Sequence, residues 1–288
     1  MATNNNLSLD ALIPAEMAAK AEAVGVSKAR LGKRRMFLLA VLAGSFIGLG
    51  AIFATTVAAG SGGIMPYGLT RLLVGIVFSL GLILVIVGGA ELFTGNNLIV
   101  MAWANQKITT GRLLRNWIVV YLGNFVGSIL TAGLLFLSGQ YQNGGGAVGA
   151  SALATANAKA GLGFVEALVL GILCNALVCL AVWLTFSART TTDKIMAIIP
   201  PIAAFVAAGF EHSVANMYFI PVGLLIKSGA SPEFWASIGK TAADYPDLTW
   251  MNFFITNLVP VTIGNIIGGT LFVGGVYWFL FLRTPRNP

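Results

Sequence analysis

Apolar stretches long enough to cross a bilayer alternate with short polar joints along most of the chain. Four are uninterrupted, at about 36–59, 113–138, 162–186 and 251–282. Two others are broken by polar residues. One starts near Leu69, is interrupted from Glu91 to Asn96 and resumes to about Asn105. The other runs from Lys194 to Ile226 with the interruption Gly209-Phe210-Glu211-His212-Ser213. Its flanking runs, Ile195 to Ala208 and Met217 to Ile226, are each too short to span alone, because a membrane helix needs ~20 apolar residues. Together they are long enough. Each interrupted stretch is therefore expected to cross once, as two half-helices with an irregular break between them. Non-helical backbone is tolerated at that depth only where protein buries it or water reaches it.

The interruptions are copies of one pattern. Gly89-Ala90-Glu91-Leu92-Phe93-Thr94-Gly95-Asn96 and Gly209-Phe210-Glu211-His212-Ser213-Val214-Ala215-Asn216 share G-x-E-x-x-x-x-N. Downstream, Gly123-Asn124-Phe125-Val126-Gly127 and Gly264-Asn265-Ile266-Ile267-Gly268 share G-N-x-x-G. Paired broken segments in the two halves of a membrane chain point to an inverted repeat with its site near the midplane. The predicted fold is an all-α integral membrane protein of six transmembrane helices, the second and fifth of them broken. The repeats are expected over about 36–138 and 162–282, behind an N-terminal segment, 1–35, whose helix from Pro14 ends in Lys28, Arg30, Lys33, Arg34 and Arg35 and either lies on the cytoplasmic surface or gates the pore, and before a short tail, 283–288.

Composition agrees. Only 9% of the 288 residues are charged and 57% are hydrophobic, against roughly 25% charged in soluble domains. The net charge of +7 does not mark a nucleic-acid binder, since the basic residues sit at span ends. All of the 17 except Arg71, Lys159, Lys227 and Lys240 fall on one side of a six-span topology. The positive-inside rule places both termini in the cytoplasm. The segment 139–161 reads as a polar, glycine-rich connection carrying Lys159, and Ser231-Pro232-Glu233 as a helix start within the last long loop. Cys174 and Cys179, five apart in an apolar run, read as buried inert thiols.

His212, the single histidine, is the sharpest candidate for chemistry. Ionisable groups inside a span are costly and mark function by default. Glu211 and Glu91 would repel an anion, so they are expected to tie the breaks to neighbouring backbone or spans. Thr94 is positioned to face His212 across the pseudo-symmetry. Half-helices that resume after each break direct free N–H groups toward the midplane, which favours an anion. Phe78, Leu82, Leu92, Phe93 and Phe205 flank the breaks and are candidates for apolar constrictions, which gate by excluding water. Asn175 in the fourth span and Lys159 at the outer mouth are further polar candidates.

Four segments, G-F-E-H-S-V-A-N-M from Gly209, A-E-L-F-T from Ala90, G-I-L-C-N-A-L-V-C-L-A-V-W from Gly171 and N-L-V-P-V-T-I-G-N-I-I-G-G from Asn257, strongly resemble the formate/nitrite transporter family and its formate channels in particular. The resemblance covers essentially the whole chain. It implies an aquaporin-like fold, a homopentamer with one pore per protomer, and passage of small monovalent anions such as formate and nitrite across a bacterial inner membrane. It puts the family's pathway histidine on His212 and its loop threonine on Thr94. Its constrictions fall on Phe78, Leu82, Leu92 and Phe205, and its polar vestibule groups on Lys159 and Asn175. Gly95-Asn96-Asn97 departs from the Ser-Thr more usual in formate channels and looks like the nitrite branch. Ser231-Pro232-Glu233-Phe234-Trp235 looks like the formate branch. Formate is the expected substrate, with a nitrite-preferring channel as the alternative.

No cofactor is expected, and a membrane haem subunit is excluded because one histidine cannot supply two axial imidazoles. A neutral-solute channel of aquaporin-like fold has no use for a titratable centre, and the asparagine-proline-alanine signature of aquaporins is absent. A histidine in the pathway, with its ordinary pKa of ~6.5, leads to the expectation of pH-dependent transport between about pH 5 and 7.

Overall fold

The computed structural model describes residues 10–283. Residues 1–9 of the expected N-terminal segment and 284–288 of the tail lie outside the described residues. Among the described residues six helices are long and apolar enough to cross a membrane. Helix α1 (Pro14–Arg30) starts with proline at its first position, and α2 (Lys33–Ala58) is the first span. Lys33, Arg34 and Arg35 therefore open the first span, where the sequence suggested they end the preceding helix. The chain straightens at Leu31 and Gly32, whose ψ values of 141° and 143° end one helix and start the next.

The second span is α3 (Tyr67–Phe78) followed by α4 (Leu80–Gly88), with Ser79 between them. After the break come a 3₁₀ turn, Gly95–Ile99, and a short helix α5 (Val100–Ala104). The third span is α6 (Thr110–Leu137), capped by Thr109. A helix α7 (Ala147–Ala160) occupies most of the segment that the sequence suggested was a polar connection. Its alanines make good helix, and its buried face of Ala152, Leu153, Ala156 and Ala160 supplies the packing that composition concealed. The fourth span is α8 (Phe164–Ser187), and the fifth is split between α9 (Thr191–Ala208) and α10 (Ser213–Gly229). After the short α11 (Pro232–Ile238), the last span covers Asn252–Phe281. Two stretches of it wind as π-helix, around α12 (Val259–Ile267) and before α13 (Val276–Phe281).

Two helix pairs, one per half, frame the breaks. Helix α2 packs on α6, and α8 packs on α12, through glycines in corresponding places. A Cβ on Gly127 would lie 2.9 Å from the Ser45 amide, and one on Gly268 would lie 3.0 Å from the Ile172 carbonyl carbon. Only glycine permits that approach, and in lipid such close backbone contact replaces the missing hydrophobic drive between helices. Long apolar faces remain outward, such as Leu114, Ile118, Leu122, Leu130 and Leu134 along α6, as expected of a surface bathed by acyl chains or by other subunits.

Candidate functional site

Helices α4 and α9 end alike. Gly89 (φ +81°) and Gly209 (φ +77°) take the left-handed conformation that closes a helix, where a side chain would be strained. The chain then runs extended into the middle of the protein. There Glu91 N–H donates to Leu39 O at 3.2 Å, and Glu211 N–H donates to Leu170 O at 3.3 Å.

One asparagine pins each break. Asn124 Nδ2 donates to Glu91 O and Ala40 O, while its Oδ1 accepts from Phe93 N–H at 2.9 Å. Asn265 does the same with Glu211 O, Gly171 O and Ser213 N–H, the last also at 2.9 Å. These are the asparagines of the G-N-x-x-G motifs. Irregular backbone at this depth has no water to bond, so each amide closes two main-chain groups of its break and ties the break to a carbonyl of a neighbouring span.

The two glutamates anchor matching clusters. Lys28 Nζ lies 2.9 Å from Glu91 Oε1, and Asn96 Nδ2 donates to Glu91 Oε2 at 2.7 Å and to Asn116 Oδ1 at 3.0 Å. In the other half Lys159 Nζ lies 2.6 Å from Glu211 Oε1, and Asn216 Nδ2 donates to Glu211 Oε2 at 2.6 Å and to Asn257 Oδ1 at 2.8 Å. Lys28 comes from α1 and Lys159 from α7, so both helices outside the expected repeats supply matching parts. The copies are not identical: Asn257 Nδ2 also donates to Glu211 Oε2 at 3.2 Å, a bond Asn116 does not make to Glu91. Lys28 also donates to Asn96 Oδ1 at 3.0 Å, whereas Asn216 Oδ1 is buried without a partner among the described residues.

Between the clusters the breaks touch. His212 caps α10, its Nδ1 accepting the Ala215 N–H at 3.0 Å. That bond leaves Nδ1 without a hydrogen, so the neutral ring carries its proton on Nε2. Nε2 lies 2.9 Å from Thr94 Oγ1, and both residues are buried. With Nε2–H donating to Thr94, the threonine hydroxyl hydrogen is free to donate elsewhere. Phe205 stacks on the imidazole at 6.0 Å between centroids, and Phe78 meets Phe205 edge-on at 5.8 Å.

A cavity lies on each side of this pair. The one on the α1 side, labelled inner, is about 330 Å³ and is lined by Leu82, Leu92, Glu91, Gly95 and Asn96, with Lys20, Lys28 and Lys194; the one on the α7 side is labelled outer. Lys20 lies outside the spans and donates to Phe186 O at 2.8 Å; burial, then Arg189 and Lys194, holds its ammonium below the usual lysine range. The outer cavity, about 100 Å³, is lined by Phe78, Phe205, Phe219, His212, Lys159 and Arg71. Phe78 and Leu82, one helical turn apart, thus face opposite cavities. The arrangement sets the Thr94 hydroxyl, its hydrogen free, against the His212 ring between two apolar collars, with a lysine–glutamate pair at each mouth.

Thr94 and Glu211 line neither cavity themselves and meet the outer one through His212 and Lys159; two other sequence candidates stand elsewhere. Phe93 lines neither cavity; its ring meets Tyr121 at 4.9 Å and Trp117 at 6.3 Å, because its backbone is fixed by Asn124. Asn175 is fully buried and shares its Nδ2 among Asn97 Oδ1, Asn265 O and Thr94 O. It tethers the Thr94 segment to the last span, away from both cavities. Cys174 and Cys179 are buried and free. Sequence reasoning passed over Lys28, Asn116, Asn257 and Arg71. The first three carry a legible signal, since each has a like residue in the other half. Among the described residues no group of three or more His, Cys, Asp or Glu side chains gathers as a metal site.

The family model described as formate/nitrite transporter matches residues 15–279. The chain is 50% identical over 274 residues to the formate channel FocA of Escherichia coli, covering 95% of this chain and 96% of that protein. It is 46% identical over 271 residues to the formate channel FocA of Haemophilus influenzae, covering 94% and 95%. A solved structure described as a pentameric formate channel with formate bound superposes with a TM-score of 0.83 at 49% identity, covering 87% of this chain and 98% of that one.

Proposed function

Since the chain belongs to the formate/nitrite transporter family, we propose that it passes formate, and with it nitrite, through the path between the two cavities. Each protomer of a pentamer would hold one such path, as the match to a pentameric formate channel suggests. The membrane would be the bacterial inner membrane. Both termini would face the cytoplasm, which the basic residues of α1, α2 and the 104–115 loop favour.

The observation that carries this reading is the Thr94–His212 contact between the cavities. An anion entering an apolar centre loses hydration, and directed hydrogen bonds must offset that cost. The Thr94 hydroxyl is such a donor, and His212 Nε2–H becomes a second when an anion displaces their contact; neither bears a fixed charge. Conduction needs binding weak enough to release, so neutral donors suit a small anion better than a buried lysine. The glutamates stay outside this exchange because each is held by a lysine and an asparagine. The collars, Leu82 with Leu92 and Phe78 with Phe205, would shut the path when dry.

The ring would also make transport depend on pH. A second proton on Nδ1 would point at the Ala215 N–H and end the cap on α10. Protonation would therefore change the donor set and the local helix start together, and could hand a proton to formate. Formate and nitrite flux measured together in proteoliposomes tests the assignment. Flux of both, competing with one another, supports it, and permeability to neutral solutes alone overturns it.

A further inference from the structure

The outer mouth holds two cations, and they differ in one respect. Lys159 is paired with the carboxylate of Glu211, so together they present a dipole to the cavity and no net charge. Arg71, on the second turn of α3, makes no ion pair among the described residues. Its guanidinium instead covers the end of α9. Nε donates to Ala207 O at 3.2 Å, and Nη2 donates to Val206 O. These are last-turn carbonyls, where the partial negative charge of a helix collects. The same carbonyl ends stand beside the outer cavity, which Val206, Gly209, Phe210 and Arg71 itself line. An approaching anion would otherwise meet exposed carbonyl oxygens on its way to His212.

The inner mouth is built differently. At the end of α4 the Gly89 and Ala90 amides both donate to Val85 O, and no side-chain donor to the last carbonyls of α4 is found among the described residues. The inner cavity instead has Lys20 and Lys194 on its wall beside the Lys28–Glu91 pair. Each mouth thus keeps at least one cation outside its lysine–glutamate pair, and at the outer mouth that cation is Arg71 alone.

Resting on the anion-channel reading, we propose that Arg71 is the residue that recruits the anion at the outer mouth, by supplying its net positive charge and masking the carbonyl end of α9. A unit charge at the entrance of a cavity with low-dielectric walls raises the local concentration of the opposite ion, and salt screens the effect. Arg71 touches backbone only, so its loss should act on entry and leave the Thr94–His212 centre intact.

The test is formate uptake in proteoliposomes of fixed protein orientation, with formate added on the α7 side at low and high ionic strength. For Arg71→Gln we expect the half-saturating formate concentration to rise about threefold to tenfold at low salt. Maximal flux should change little, and the salt dependence of the native protein should flatten. Arg71→Lys, which keeps the charge, should restore most of the native behaviour. Thr155→Asp, on α7 in the same cavity, cancels the charge without disturbing the carbonyl contacts and should reproduce the Arg71→Gln shift. It also keeps the proposal testable should Arg71→Gln fail to insert. Native half-saturation and salt dependence in Thr155→Asp would overturn recruitment by charge and reduce Arg71 to a helix cap. Absence of formate flux in the native protein would instead overturn the channel reading beneath it.

Discussion

Thr94 Oγ1 and His212 Nε2 lie 2.9 Å apart although 118 positions separate them in the chain. Each residue stands on a break in its span, His212 in extended backbone and Thr94 at the turn that follows, and each break is held by the G-N-x-x-G asparagine of its own half. The contact depends on a hydroxyl that can accept from the ring and donate to a guest. Thr94→Ser keeps the hydroxyl and should retain most formate flux. Thr94→Val keeps the shape but orphans Nε2–H, a loss of about 1–3 kcal/mol for a buried group. Flux should then fall at least about tenfold, read as formate-driven swelling or uptake in proteoliposomes.

Acidification should change transport through His212. At neutral pH the ring holds one proton on Nε2, since Nδ1 is occupied by the Ala215 N–H. As the pH falls below neutral, a ring that takes a second proton on Nδ1 gives up the Ala215 cap, and that form both attracts the anion and can protonate it. Proton-coupled formate influx is expected to increase over this range. His212→Asn can still donate a hydrogen bond but takes up no proton, so it should retain some flux with a flat pH profile. A native profile in that variant assigns the pH dependence to another group.

The Lys159–Glu211 pair should reveal itself in a double-mutant cycle. The glutamate side chain is 4% exposed and the lysine 17%. Lys159→Met leaves a buried carboxylate with asparagines alone, and breaking a buried pair costs about 3–5 kcal/mol. Lys159→Met with Glu211→Gln removes both charges and should recover much of that loss. Thermal unfolding of the detergent-solubilised protein measures both, and equal destabilisation of the single and double variants would argue against the pair.

Phe205 rests between the imidazole and Phe78. Phe205→Ala should shorten the dry barrier at the outer collar. Leak of other small anions is expected to rise more than the half-saturating formate concentration changes. Unchanged selectivity would return Phe205 to ordinary packing.

The six spans and both breaks were legible because apolar runs of fixed length, interrupted by G-x-E-x-x-x-x-N, leave few alternatives. His212 and Thr94 were legible because polar groups at that depth are costly. Helix α7 was not. Its run of alanines carries little hydropathy contrast, and its buried face shows only against α10, which it packs on. Lys28 was obscured for a related reason. It lies on α1, which the sequence placed outside the two repeats, and only its 2.9 Å approach to Glu91 makes it the counterpart of Lys159. Phe93 shows the reverse error. Helical spacing near the break suggested a collar, but the Asn124 bond to its amide turns the ring toward Trp117 and Tyr121.

The measurement closest to the central claim is formate flux through His212→Phe in proteoliposomes, compared with the native protein at matched insertion. Phenylalanine fills the imidazole's place beside Phe205 but removes both the Nε2 donor and the Nδ1 cap. If the anion crosses on the Thr94–His212 donors, this variant should lose nearly all formate flux while remaining inserted and assembled. Native formate flux through an inserted His212→Phe protein would contradict the account.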